Sequence, residues 1–256
     1  TFRSTINSTS QIFLNISTLQ SLVRSRKTGC GPAGRLLLHQ QRMSWDWGHF
    51  PRSFSTYSAE GATSLTASQF SKSLALSRSN ILSPSTQWTS IQVFIRTLWT
   101  NVKEANTARN LLRQQPTTPN CSNCGLLPER TMHLLYECPL AVQIWSTFIR
   151  HFNILLQEES VTLQPVSLTS DLIMFNYTPK IPTIFSTDLL HIIMTTKHRL
   201  YRLKFRDDPL RMPSNRMVML STVLDLDRVI LVRKYSGLDS TFMEKFNNKI
   251  KSLVGL

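Results

Sequence analysis

The stretch Cys121-Ser-Asn-Cys124-Gly125-Leu-Leu-Pro-Glu-Arg130-Thr-Met-His133-Leu-Leu-Tyr-Glu-Cys138-Pro139 places three thiols and one imidazole within eighteen residues. These are the number and types of ligand that fill the tetrahedral shell of a structural Zn²⁺. Cys121 and Cys124 flank a tight turn that Gly125 can help close, which aims both sulfurs at one centre. His133 to Cys138 reads as a short helical turn ended by Pro139, so that imidazole and thiol face the same ion. Two plainer readings compete. Ordinary thiols beside a surface histidine would not explain why three of the chain's four cysteines fall here. A disulfide would use two of the cysteines and leave His133 idle, and no cleavable signal points to an oxidising compartment. A closed Cys₃His shell has no position for water, so the ion is expected to be structural and not catalytic.

The run from Glu129 through His133-Leu-Leu-Tyr-Glu-Cys138-Pro-Leu-Ala-Val-Gln-Ile-Trp145, preceded by Cys121-x-x-Cys124-Gly125, resembles the zinc-binding segment of LINE-type (non-LTR) retrotransposon reverse transcriptases. That family's pattern is roughly Cys-x-x-Cys-Gly, an acidic residue, His-Leu-hydrophobic, Cys-Pro, Ala and a Trp. The resemblance is specific over about residues 88 to 156, weaker to about 235, and absent before residue 40. It implies zinc ligation by Cys121, Cys124, His133 and Cys138, and a packing role for Trp145. It also implies a non-catalytic region that helps hold element RNA or target DNA during target-primed reverse transcription. The partners would be nucleic acid and a reverse transcriptase domain upstream in the same polyprotein. The alternative is a zinc-stabilised protein-interaction module from a domesticated or decayed retrotransposon.

Composition bounds these expectations. The 256 residues are 41% hydrophobic, enough for one large or two small cores, and the net charge is +14 with a pI near 10.2. Such an excess suggests a polyanionic partner, most often nucleic acid. No stretch approaches 18 uninterrupted apolar residues, so no membrane span and no membrane partner is expected. The expected location is intracellular and reducing, nuclear or cytoplasmic. Residues 1–87 hold nine Lys/Arg against Asp46 and Glu60, residues 88–157 six against three, and the rest fourteen against ten. Attraction to a polyanion should be strongest at the amino end. The start at Thr1 suggests a piece of a longer product.

Four segments follow. Residues 1–87 read as a loosely ordered, basic, Ser/Thr-rich arm with two short helices. Within it, Arg42-Met-Ser-Trp45-Asp-Trp47-Gly-His-Phe50-Pro-Arg52 interleaves aromatics with arginines, as single-strand binders do. Docking of the arm onto the following domain explains the same aromatics and is the favoured reading. Cys30 has no partner nearby in sequence. Residues 88–157 read as helix, knuckle, helix. Ile91, Ile95, Leu98, Trp99 and Val102 form one helical stripe, and Leu140–Leu156 a second helix with Ile144, Trp145, Phe148, Phe152 and Leu155 inward. Residues 158–182 are a connector with a short strand at Leu172–Phe175.

Residues 183–256 read as a basic helical region. Thr187 or Asp188 caps a helix with Leu189, Ile192, Ile193, Thr196, Leu200 and Leu203 on one stripe. His191, His198, Arg199, Arg202 and Arg206 fall opposite, with Lys197 and Lys204 beside the stripe. Nucleic-acid contact is expected from Lys197, Arg199, Arg202, Lys204 and Arg206, and from Arg42 and Arg52; a solvated face is the alternative. Ser214 caps a further helix through Met217, Leu220, Leu224 and Leu231, and Thr241-Phe-Met-Glu244 opens a last one. Three thiolates around a dication carry a formal charge near −1, so phosphate contact at the knuckle must come from neighbours such as Arg130.

The fold expected is mostly α, a helical domain around a Cys₃His zinc knuckle behind a loosely ordered arm. No enzyme is expected. Asp207-Asp208 is the only adjacent pair of aspartates, and it is flanked by neither the strand nor the further carboxylates that would build a two-metal polymerase site; no phosphate loop or nucleophile motif occurs either.

Overall fold

The structure is a computed structural model that describes residues 50–60, 63–77, 79–110, 118–159, 164–177, 183–205 and 213–256. All of these lie in one compact unit, His49–Leu256. In chain order the helices are α1 (Phe50–Ala59), α2 (Ala67–Leu76), α3 (Pro84–Phe94), α4 (Asn101–Asn110), α5 (Pro139–Glu159), α6 (Ser170–Phe175), α7 (Thr183–Arg202), α8 (Asn215–Tyr235) and α9 (Thr241–Val254). A π turn, His133–Glu137, precedes α5, and a 3₁₀ turn, Leu203–Phe205, extends α7. Among the described residues there is no strand, only an isolated bridge between Asn120 and Pro128.

Local chemistry sets most helix starts. Thr66 and Gln69 close a reciprocal capping box on α2, while Ser83 caps α3 through the Thr86 N–H with Pro84 in the first helical position. Ser214 caps α8 through the Met217 N–H. The last helix departs from the expected box: Ser240 donates to Glu244 and Asp239 accepts from the Thr241 N–H.

Two aromatic clusters form the core. Tyr57 of α1, Phe70 of α2, Phe94 of α3 and Phe175 of α6 meet with ring centroids 4.8 to 6.2 Å apart. Phe148 and Phe152 of α5 meet Phe242 and Phe246 of α9 edge-on. Helix α7 packs against α3 on one side and α8 on another, and also touches α5, α9 and the π turn.

These arrangements correct several expectations. The arm does not extend to residue 87: α1 and α2 pack into the core, and α3 runs across that boundary because Ser83 and Pro84 start it. The single helix from Trp88 is two, since Arg96 takes a left-handed φ of 56° after Phe94 and redirects the chain. Leu172–Phe175 is helical. Thr169 caps it, Asn176 ends it in the left-handed region, and burial of the whole apolar run fits a buried helix as well as a strand.

Helix α7 starts at Thr183, earlier than expected, and every residue from Asp188 to Met194 is buried, so it has no broad basic face. Asp188 is no cap; it pairs with Arg233 of α8 in the interior. Helix α8 is also rotated from the expected stripe. It buries Val218, Val223, Leu226 and Ile230, and leaves Met217, Leu224 and Leu231 exposed.

Lys197 is the sharpest departure. Its side chain is fully buried, with Nζ donating to Asn176 Oδ1 at 2.5 Å and Met174 O at 3.3 Å, and Asn176 in turn donates to Ser77 Oγ at 2.7 Å. Burial pulls the ammonium from its ordinary value near 10.5 down to about 7. An unfolded chain therefore binds a proton there that the folded chain releases, so stability falls as pH drops from about 10.5 towards 7. Urea unfolding across that window, at a fixed metal excess, should show Lys197→Met with a slope flatter by up to about 1.4 kcal/mol per pH unit.

Candidate metal centre

The knuckle is built by backbone hydrogen bonds before any ligand is considered. Cys121 N–H donates to Leu127 O at 2.8 Å and Glu129 N–H to Pro119 O at 2.7 Å, closing a small hairpin around the Asn120–Pro128 bridge. Gly125, at φ 70°, donates to Cys121 O at 2.7 Å and ends the turn in a conformation that a side chain would strain. The Asn123 N–H lies 3.4 Å from Cys121 Sγ, a neutral donor aimed at the sulfur.

His133 and Cys138 are five residues apart, which on an α-helix would turn their side chains about 140° from each other. The chain avoids this with the π turn, in which Cys138 N–H reaches His133 O at 2.7 Å, an i to i+5 bond that spans the ligand pair itself. Pro139 holds Cys138 in an extended conformation, with ψ 131°, and opens α5. Cys138 thus stands at the amino end of that helix, where the Leu140 and Ala141 N–H groups face its sulfur.

The four donor atoms of Cys121, Cys124, His133 and Cys138 all lie within 4.8 Å of one another. Cys121 Sγ is 3.9 Å from Cys138 Sγ, and Cys124 Sγ is 3.3 Å from His133 Nε2. Sulfurs about 2.3 Å from a common tetrahedral ion stand about 3.8 Å apart, so the set is spaced to hold one metal ion. No disulfide joins these cysteines. Cys121, His133 and Cys138 are buried and Cys124 half-buried, which leaves little room for a solvent ligand.

The thiols are electrostatically coupled. The Cys121 S–H donated to Cys138 holds the Cys138 thiol below its ordinary value, helped by the helix N–H groups, while the same contact and then burial push Cys121 up.

Around this centre, Glu129 is the residue that sequence reasoning passed over. Its side chain is fully buried and accepts from Ser122 N–H at 2.8 Å, Ser122 Oγ at 2.6 Å, the Asn101 N–H that begins α4 at 2.9 Å, and Lys204 Nζ at 2.9 Å. Burial alone would raise the carboxyl; the Ser122 donors and Lys204 outweigh it and hold it below the ordinary carboxylate range. Its acidic place in the motif was visible, but not its partners, which come from residues 101 and 204. Trp145 is fully buried and donates from Nε1 to Leu135 O at 2.7 Å, pinning α5 to the π turn.

The cations expected to touch nucleic acid divide sharply. Arg130 and Arg202 are exposed. Lys197 is enclosed with Asn176, Lys204 is bound to Glu129, and Arg199 makes a two-pronged pair with Asp225 of α8. Lys197 and Lys204 are corrected to internal roles, their charges taken up by acceptors from other segments, while Arg199 is half-buried with its charge matched by Asp225. His191 and His198 are similarly occupied by Ser79 and Thr89 at 2.8 Å each. Arg42, Arg206 and the Arg52 side chain lie outside the described residues.

Compared with protein-family models, curated proteins and solved structures, the chain matches none. Elemental analysis of freshly purified, reduced protein should find one bound metal ion per chain, and Cys124→Ser should lose it. Trp145→Ala should cost about 3 to 5 kcal/mol in chemical unfolding, the range for a buried large aromatic.

Proposed function

We propose that this chain is a non-catalytic, zinc-stabilised nucleic-acid-binding region, of the kind carried by LINE-type reverse transcriptase proteins. Zn²⁺ is the ion that suits three thiolates and an imidazole in a closed four-donor shell. The donor spacing, the resemblance around His133 and Cys138, and Trp145 beside the motif support this assignment. Its work is mechanical: it fixes the hairpin of residues 119–129 to the start of α5.

The observation that carries the nucleic-acid reading is the uncompensated charge. Each internal ion pair consumes one acid with one base, so pairing Arg199, Lys204 and Arg233 leaves the net charge of +14 intact. That surplus must face solvent or a polyanion. Arg130 beside the knuckle and Arg202 at the end of α7 present it, and the basic residues of the amino-terminal segment add to it. In this reading the chain holds element RNA or target DNA for a polymerase encoded upstream, in the nucleus or cytoplasm. Among the described residues no helix is long and apolar enough to cross a membrane.

A second reading, a protein-interaction module, draws on the exposed apolar residues of the knuckle tip, Leu126 at 71% and Leu127 at 56% exposure. Salt dependence separates the two. Binding of single-stranded RNA should weaken steeply with salt, and Arg130→Gln with Arg202→Gln should flatten the log–log slope by roughly 0.7 per lost phosphate contact. The interaction module predicts no salt-dependent RNA binding, and a partner lost with Leu126→Ser.

A further inference from the structure

We propose that the cleft between the start of α3 and helices α7 and α8 is a binding site for the phosphate end of a nucleotide. The cleft has a volume of about 390 Å³, within the range of small-molecule sites. It shares no residue with the metal centre and does not depend on the proposed nucleic-acid role.

Its chemistry is anion-selective on one side. Arg199 and Arg228 both line it, and Asp225 is the one carboxylate among the lining residues. Arg199 already engages both oxygens of Asp225. Arg228 is left with a single contact to Asp225 at 3.3 Å, and its side chain is 79% exposed. The cleft therefore carries one cation more than it has acids. The amino end of α3, a helix of 11 residues, opens onto it through Ser83, Ser85 and Thr86. Helix geometry gives the Ser85 N–H no intrahelical acceptor, and the partial positive charge there favours an oxyanion.

A second observation, independent of the helix end, points to a ligand. Thr195 lines the cleft, is 1% exposed, and its hydroxyl has no hydrogen-bond partner. A hydroxyl inside a helix can donate back to the carbonyl four residues earlier, as the adjacent Thr196 does to Ile192 at 2.7 Å. A buried hydroxyl without a partner is costly unless something completes it. The remaining wall, with Leu82, Val229 and Val232, is apolar and suits the organic body of a phosphate ester better than a bare ion. His198 holds Thr89 through Nδ1, and burial first, then Arg199 and Arg202, pull it down to about 4, so at neutral pH it is an uncharged donor or acceptor at the cleft edge.

Two sources offer this chemistry, a free nucleotide and the phosphorylated end of a strand. Adenosine 5′-monophosphate, adenosine and a short oligonucleotide with or without a 5′-phosphate serve as probes for calorimetry and chemical-shift mapping on the full chain. Adenosine 5′-monophosphate should bind at least about tenfold more tightly than adenosine, since charge-assisted contacts to phosphate carry the difference. Arg228→Gln, a change at an exposed side chain that leaves the fold intact, should remove about that factor, and Thr195→Val should weaken binding without lowering the melting temperature. Displacement of the mononucleotide by the 5′-phosphorylated strand alone identifies strand ends as the source; no displacement by either strand identifies free nucleotide. Equal affinity for nucleotide and nucleoside, no binding of either, or an unchanged Arg228→Gln variant overturns the proposal. Loss of RNA binding in the Arg130 and Arg202 variants with nucleotide binding intact separates this site from the general basic surface.

Discussion

The bond from Cys138 N–H to His133 O governs more of this molecule than its 2.7 Å length suggests. Skipping one residue more than an α-turn, it brings an imidazole and a thiol five residues apart onto one point, and Pro139 then fixes the exit of the chain. Without it the two halves of the ligand set would diverge. With it, the hairpin of Cys121 and Cys124, the π turn and the start of α5 become a single rigid corner. Glu129 and Trp145 extend that corner outward, one to α4 and Lys204, the other along α5.

Helix α7 shows how a basic sequence can be mostly interior. Its cations and histidines meet partners supplied by other segments: Ser79, Thr89, Asn176, Asp225 and Glu129. Such contacts specify the register of α7 against α3 and α8 more sharply than apolar packing, since each polar group left unmatched would carry a desolvation penalty. The buried Asp188–Arg233 pair does the same between α7 and α8, with burial pushing the carboxyl up to about 6 despite the guanidinium beside it.

What could be read in advance follows from the range of the interactions. The donor set of the metal centre, the inward stripe Ile144, Trp145, Phe148, Phe152 and Leu155, and the cap at Ser214 depend on neighbours within a few residues, and their sequence spacing shows them. The pairing of Lys197, Arg199 and Lys204 depends on residues 21, 26 and 75 positions away, which periodicity does not reveal. Helix α8 carries two apolar stripes, and only the fold selects Val218, Val223, Leu226 and Ile230 over Met217, Leu224 and Leu231. The run Leu172–Phe175 is apolar on all sides, a pattern common to a buried strand and a buried helix.

The compactness of the metal corner in sequence bears on the order in which the chain assembles. Its four ligands close a loop of only eighteen residues, so bringing them together costs little configurational entropy compared with joining α3 to α7 or α4 to Lys204. The corner can therefore close while its surroundings are still unfolded. It would then present Glu129 and Trp145 as preset anchors, onto which segments distant in sequence condense. During synthesis, residues up to Trp145 suffice to complete it before α7, α8 and α9 have emerged, which gives the helical half of the molecule a template instead of a search.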